Sequence, residues 1–288
     1  MDAARAADSS MFQVMLLARM ASIQRHRSQF EEAIGRYEEA LQVLDDWEVS
    51  ERTIDVGRGS WHDRQDWRAH WLARIGRKRA NVLLLMGQPR EAERVLRPVI
   101  EHFRHGGHAY ELAQTLFSLG WAKNSLGDLD AAVSLYRDGM QNAEAHSMAH
   151  PEDRLPLLQG HLYLGSSSID RGDVELAEVE LRAALALADN APLRDYREVG
   201  RVHQQLGRLH LVRDELVEAR KQLTRAYEFC ASREDKIQLA QTHNVMGAYQ
   251  LAAQGPARVE RAMRAFALAL GAARACRPPS PTTSAPPS

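Results

Sequence analysis

His102, His105 and His108 recur at every third position. Imidazoles three residues apart on a helix share a face and can share a metal ion such as zinc, which accepts neutral nitrogen ligands. Two features weigh against that chemistry. His108 lies beyond Gly106-Gly107, a pair that ends helices. A histidine near a helix C-terminus is favoured by the helix dipole in any case. The sequence therefore assigns no metal and no cofactor. His161, His203 and His243 follow one another at 42 and 40 residues; side chains of successive stacked helices lie roughly 10 Å apart, too far for a common ligand. They read as half-buried packing groups. No Gly-x4-Gly-Lys-Ser/Thr loop, strand-borne Gly-x-Gly-x-x-Gly or Gly-x-Ser-x-Gly elbow is present, so an enzyme is not expected.

The elements that would carry these residues follow a clear period. In 113–146, Leu116, Leu119, Gly120 and Lys123 share one helical face, and Ala132, Tyr136 and Gly139 share another, with a turn at Gly127-Asp128. Small residues at Gly120 and Ala132 let two backbones approach, beside Leu119 and Tyr136. A lone hairpin of this size cannot bury its apolar face. Ala92, Ala132, Ala177, Ala219 and Ala262 lie 40, 45, 42 and 43 residues apart, which predicts stacked helix pairs of one kind. Asp128, Asp173, Asp214 and Glu215 fit caps and first-turn charges of second helices. The pattern fails over Trp47–Ser60, and Trp61, Trp67 and Trp71 open the next unit as cover for that gap or as contacts for a second copy of the chain.

Composition narrows the class. Net charge is −1 over 288 residues, which argues against a general nucleic-acid binder. Four of the 37 basic residues are lysines; the arginine bias fits a GC-rich genome better than a phosphate-binding surface. Cys230 and Cys276 are isolated, so no disulfide framework or Cys-x-x-Cys zinc site is suggested. No apolar run approaches the roughly 18 residues of a membrane span, and residues 1–10 lack a signal-peptide layout. The expectation is a cytoplasmic chain with a frayed start at 1–10, helix pairs over 11–275, and a disordered Pro/Ser/Thr-rich tail over 276–288.

Leu119-Gly120, Gly127-Asp128-Leu129, Ala132, Tyr136 and their echoes resemble tetratricopeptide repeats, in six units starting near 14, 73, 113, 158, 200 and 240. The longer period is similar to the variety in kinesin light chains and in bacterial signalling regulators. The resemblance implies an all-α, right-handed superhelical solenoid whose concave face, lined by first helices, holds a peptide or a partner's helix. It implies binding positions at Arg77, Lys78, Asn81, Trp121, Asn124, Tyr163, Arg201, Gln205, Arg208 and Asn244. Amides there can pair with a bound backbone, arginines can fork onto carboxylates, and the aromatics supply buried area. The expected partner is thus a protein or peptide of acidic character, bound by a scaffold or adaptor. The alternative is a peptide-sensing module of a bacterial-type signalling or transcriptional regulator.

Overall fold

The computed structural model describes residues 2–46, 64–189, 196–233, 235–253 and 261–269, and every regular element among them is a helix. In chain order these are α1 (Asp2–His26), α2 (Phe30–Asp45), α3 (Arg64–Leu85), α4 (Pro89–His105), α5 (Ala109–Ser125) and α6 (Leu129–Ala149). They continue with α7 (Leu155–Arg171), α8 (Val174–Ala188), α9 (Glu198–Val212), α10 (Leu216–Ala231), α11 (Lys236–Ala252) and a helical stretch, α12, over 261–269. Helices α1, α3, α5, α7 and α9 each pack on the even-numbered one that follows, and α3, α5, α7, α9 and α11 touch in succession. The result is an all-helical solenoid with its first helices along one wall. The interruption at 47–60, Trp61, the turn at 254–256 and the tail lie outside the described residues.

Pairing follows from close approach at small residues. A Cβ on Gly120 would stand 2.4 Å from Cε1 of Tyr136, so α5 and α6 meet at a separation only glycine allows. Leu119, Ala132 and Tyr136 are buried around that contact. The apolar stripes of neighbouring pairs then fuse: Leu96, Phe103, Leu116 and Leu119 form one cluster across α4 and α5. No single pair owns its core, as expected of stacked units.

Helix ends follow sequence chemistry, with one correction. Asp128 and Asp173 cap as expected, their carboxylates accepting from the N–H of Ala131 and Leu176 at 3.4 and 3.2 Å. Asp214 does not cap. It takes a φ of +61°, the left-handed turn position that Gly127 (+83°) and Gly172 (+82°) fill after α5 and α7. Among non-glycine residues, Asp and Asn tolerate this region best. At the start of the chain, α1 runs from Asp2.

Candidate functional site

First helices of the pairs, with the turns at their ends, enclose a cavity of about 980 Å³. Its wall is made from α1, α3, α5, α7, α9 and α11 in turn, with Tyr37 of α2. The two ends of the stack meet across it: Ile237, at the start of α11, packs its side chain against the apolar cluster of α1, α2 and α3. Of the expected binding residues, the structure brings Arg77, Lys78, Asn81, Trp121, Tyr163 and Arg201 to this wall. Asn124, Gln205, Arg208 and Asn244 do not line it.

Charge on the wall is one-sided. Arg77 and Lys78 of α3 face Arg25 and Arg27 at the end of α1, Arg197 at the N-cap of α9 and Arg201 on it, with Arg233 and Lys236 beyond them. Against these eight stand two carboxylates, both engaged. Glu198 accepts from Nε2 of Gln159 at 3.0 Å. Asp235 pairs with Arg197 at 3.3 Å and caps α11 by accepting from the N–H of Gln238 at 3.1 Å. Among the described residues neither Arg77 nor Lys78 has an ion pair. Nε of Arg77 and Oδ1 of Asn81 are buried without a hydrogen-bond partner, and Lys78 donates only to Oγ of Ser22, at 3.3 Å. Burial, reinforced by Arg74, Arg77 and Arg25, pushes the Lys78 ammonium down to about 8. Burial likewise lowers the Arg77 guanidinium. A wall that destabilises its own cations in this way favours an anion placed among them.

Polar groups of the same wall are arranged in a row. Gln114 donates to Gln159 at 2.6 Å, and Gln159 to Glu198 at 3.0 Å, linking α5, α7 and α9. Arg201 lies over the ring of Tyr163, 5.0 Å from its centroid, and Tyr163 stacks on Tyr136 at 5.6 Å. Trp121 is half-buried against the α4–α5 cluster. The wall therefore offers amides, cations and aromatic area together.

Residues 71–145 match the family model of the tetratricopeptide repeat. That stretch carries tetratricopeptide-type repeats. The fold of the chain is similar to the apo form of RapI, at 10% identity and a TM-score of 0.68 over 92% of this chain and 84% of that one. It is similar to BtubC from P. vanneervenii, at 18% identity and a TM-score of 0.58 over 90% and 97% of the two chains. A third likeness is to the Rap conjugation gene regulator of the plasmid pLS20 in complex with the Phr* peptide: 16% identity, a TM-score of 0.66, and coverage of 91% of this chain and 64% of that one. No curated protein matches the sequence. No helix among the described residues is long and apolar enough to cross a membrane.

Within the repeat array, the residues that reading by position missed are those supplied by curvature. Arg25 and Arg27 lie at the end of the first helix of the first unit, and Arg197, Arg233 and Lys236 lie just outside the groove positions of later ones. Only the meeting of the two ends makes them neighbours, and no short-range pattern encodes that. The histidines of successive repeats are packing groups: His161 meets Glu180 at 2.7 Å, His203 meets Gln222 at 2.8 Å, and His243 lies against Tyr227 with 5.5 Å between rings. Burial lowers both His203 and His243. Of the tryptophans, Trp67 is 2% exposed and lies 5.5 Å from Trp71 between ring centroids, tilted by 37°, with Arg74 over the Trp71 ring at 4.9 Å. Trp67 fills the core, and Trp71 is half-buried beside it.

Proposed function

We propose that this repeat array is a protein- or peptide-binding scaffold and that the segment held in its inner cavity is acidic. The surplus of cations on the wall, in a chain whose net charge is −1, carries the reading. A carboxylate between Arg77, Lys78 and Arg201 gains charge-assisted hydrogen bonds, and relieves repulsion that the free chain bears. Asn81, Gln114 and Gln159 supply donors and acceptors for an extended backbone, and Trp121 and Tyr163 supply apolar area. The cavity volume lies at the upper end of the roughly 300–1,000 Å³ of ligand pockets, which suits a few residues of peptide. The pLS20 regulator, similar in fold, is described with a peptide bound, which supports a peptide as the class of ligand.

Fluorescence anisotropy with labelled Asp/Glu-rich and Lys-rich peptides of equal length tests the reading. The expected outcome is saturable binding of the acidic peptide, weakened by salt, with the basic peptide at least 30-fold weaker. Equal affinities would overturn it. A second reading, a peptide-sensing module of a signalling or transcriptional regulator, is favoured by the contact of Ile237 with the first core cluster. A ligand filling the cavity would press on that contact and change the pitch of the stack. Small-angle scattering with and without the acidic peptide measures this; identical profiles would leave the scaffold reading alone.

A further inference from the structure

The histidine run read from the sequence is not the cluster the fold builds. His105 is exposed and points toward Glu101, while its place beside His102 and His108 is taken by His70, from the preceding helix α3. Ring centroids of His70 and His108 are 4.8 Å apart, and each lies 6.3 Å from His102. One nitrogen from each of the three falls within 4.8 Å of the others. We propose that His70, His102 and His108 bind a divalent transition-metal ion of the zinc class, fastening α3, α4 and the start of α5 to one another.

Several independent features support three ligands at this point. Nε2 of His102 is buried without a hydrogen-bond partner, a position that is destabilising unless something satisfies it. His108 is placed by the Gly106-Gly107 turn, and the turn is built for it: a Cβ on Gly106 would stand 2.6 Å from Cδ2 of the His108 ring. Asp66 of α3 is close enough to act on His102. Phe103 packs edge-on to His70 and His108, giving the site an apolar side. Tetrahedral zinc with nitrogen at 2.0–2.1 Å needs donors about 3.3 Å apart. Closing from the present spacing takes a shift on the order of 1 Å, within reach of His108 on its turn. Three imidazoles leave a fourth position for water, with Asp66 nearby to balance charge.

Titration of chelator-treated full-length chain with Co²⁺ and Zn²⁺ tests the site. The expected result is one equivalent of Co²⁺ per chain, giving tetrahedral visible absorption bands that Zn²⁺ abolishes. Saturating Zn²⁺ should raise Tm by ~5 °C. The decisive variant is His108→Asn. His108 occupies the N-cap of α5 and makes no side-chain cap bond, and Asn is a preferred cap, so the variant keeps the fold while losing a ligand. Loss of the Co²⁺ bands in His108→Asn and His102→Ala, with His105→Ala and His150→Ala unchanged, supports the site. Absence of saturable binding, or bands that survive His108→Asn with an unaltered circular dichroism spectrum, overturns it. None of these outcomes depends on peptide binding.

Discussion

Arg208 on α9 meets Asp170 of α7, and that carboxylate also accepts from Asn124 of α5 at 3.1 Å, which in turn accepts from Oγ of Ser167 at 2.8 Å. Arg77 and Lys78 on α3 have no such neighbours among the described residues. Both stretches sit on first helices, and both were expected to face a ligand. The resemblance gives the position of a side chain relative to the groove but not the identity of what lies one helix away. Where the neighbouring helix supplies an acid, the arginine becomes a strut between repeats. Where it supplies more cations, as α1 does with Arg25, the site is left needing an anion. The number of counter-ions, and not of arginines, separates the two regions.

The largest effect should come from reversing charge in the unbalanced region. Arg77→Glu with Arg201→Glu is expected to weaken the acidic peptide by about 100-fold, within the 2–5 kcal/mol typical of truncated charge pairs. Arg208→Glu should cost less than about threefold, since that side chain is already neutralised. The double variant should still fold, because a carboxylate at position 77 gains Arg74 and Lys78 as partners. Anisotropy with the same peptide measures all three chains; comparable losses in Arg208→Glu would erase the distinction.

Both regions also rest on α5, which lies between α3 and α7. Gly120→Ala forces a methyl group to within 2.4 Å of Tyr136, and should destabilise the chain by about 1–3 kcal/mol through overpacking. Gly35→Ala on α2 meets nothing within 4 Å and should stabilise by about 0.5–1 kcal/mol through helix propensity alone. Chemical denaturation of both variants checks the contrast. If Gly120→Ala costs nothing, the close contact that sets the spacing of the first helices is not a constraint.

These examples show what was legible in the sequence. The periodic alanines, the Gly120–Tyr136 contact and the aspartate caps are local or near-local, and each was readable from spacing. Six of the ten expected groove residues reach the cavity for the same reason. Contacts between distant units were not readable: Ile237 against the first cluster, and Arg197 and Lys236 on the wall. Superhelical pitch decides these, and pitch is the sum of small rotations spread over every interface. Asp214 misled for a different reason, since one residue type serves both helix caps and left-handed turns.

The unbalanced region carries a pH signature. An ordinary lysine titrates near 10.5, whereas Lys78 is lowered to about 8, first by burial. Between those values the unfolded chain binds more protons than the folded one, so stability rises with pH. Cys230 acts oppositely above its ordinary 9, being raised to about 11 by burial. The clean window is therefore pH 8 to 9. There the wild type should gain up to about 1 kcal/mol relative to Lys78→Met, less whatever solvent screening removes. Urea melts of the two chains at pH 8 and 9 give the difference directly. A saturating acidic peptide should abolish it by restoring the ammonium.

The smallest effect probes the balanced region by unbalancing it. Asp170→Asn keeps the shape of the side chain and its bond to Asn124, but removes the charge opposite Arg208. Both partners are partly exposed, 24% for Asp170 and 35% for Arg208, so the stability lost should be at most about 1 kcal/mol. The freed guanidinium then resembles Arg77 in lacking a counter-ion, though it remains outside the cavity. If charge balance is what makes a first-helix arginine receptive, this variant should bind the acidic peptide two- to threefold more tightly at low salt, and the gain should vanish at about 0.5 M salt as screening shortens the reach of the charge. An unchanged affinity at low salt would mean that enclosure by the two ends of the stack, and not the missing carboxylate, is what distinguishes Arg77 and Lys78.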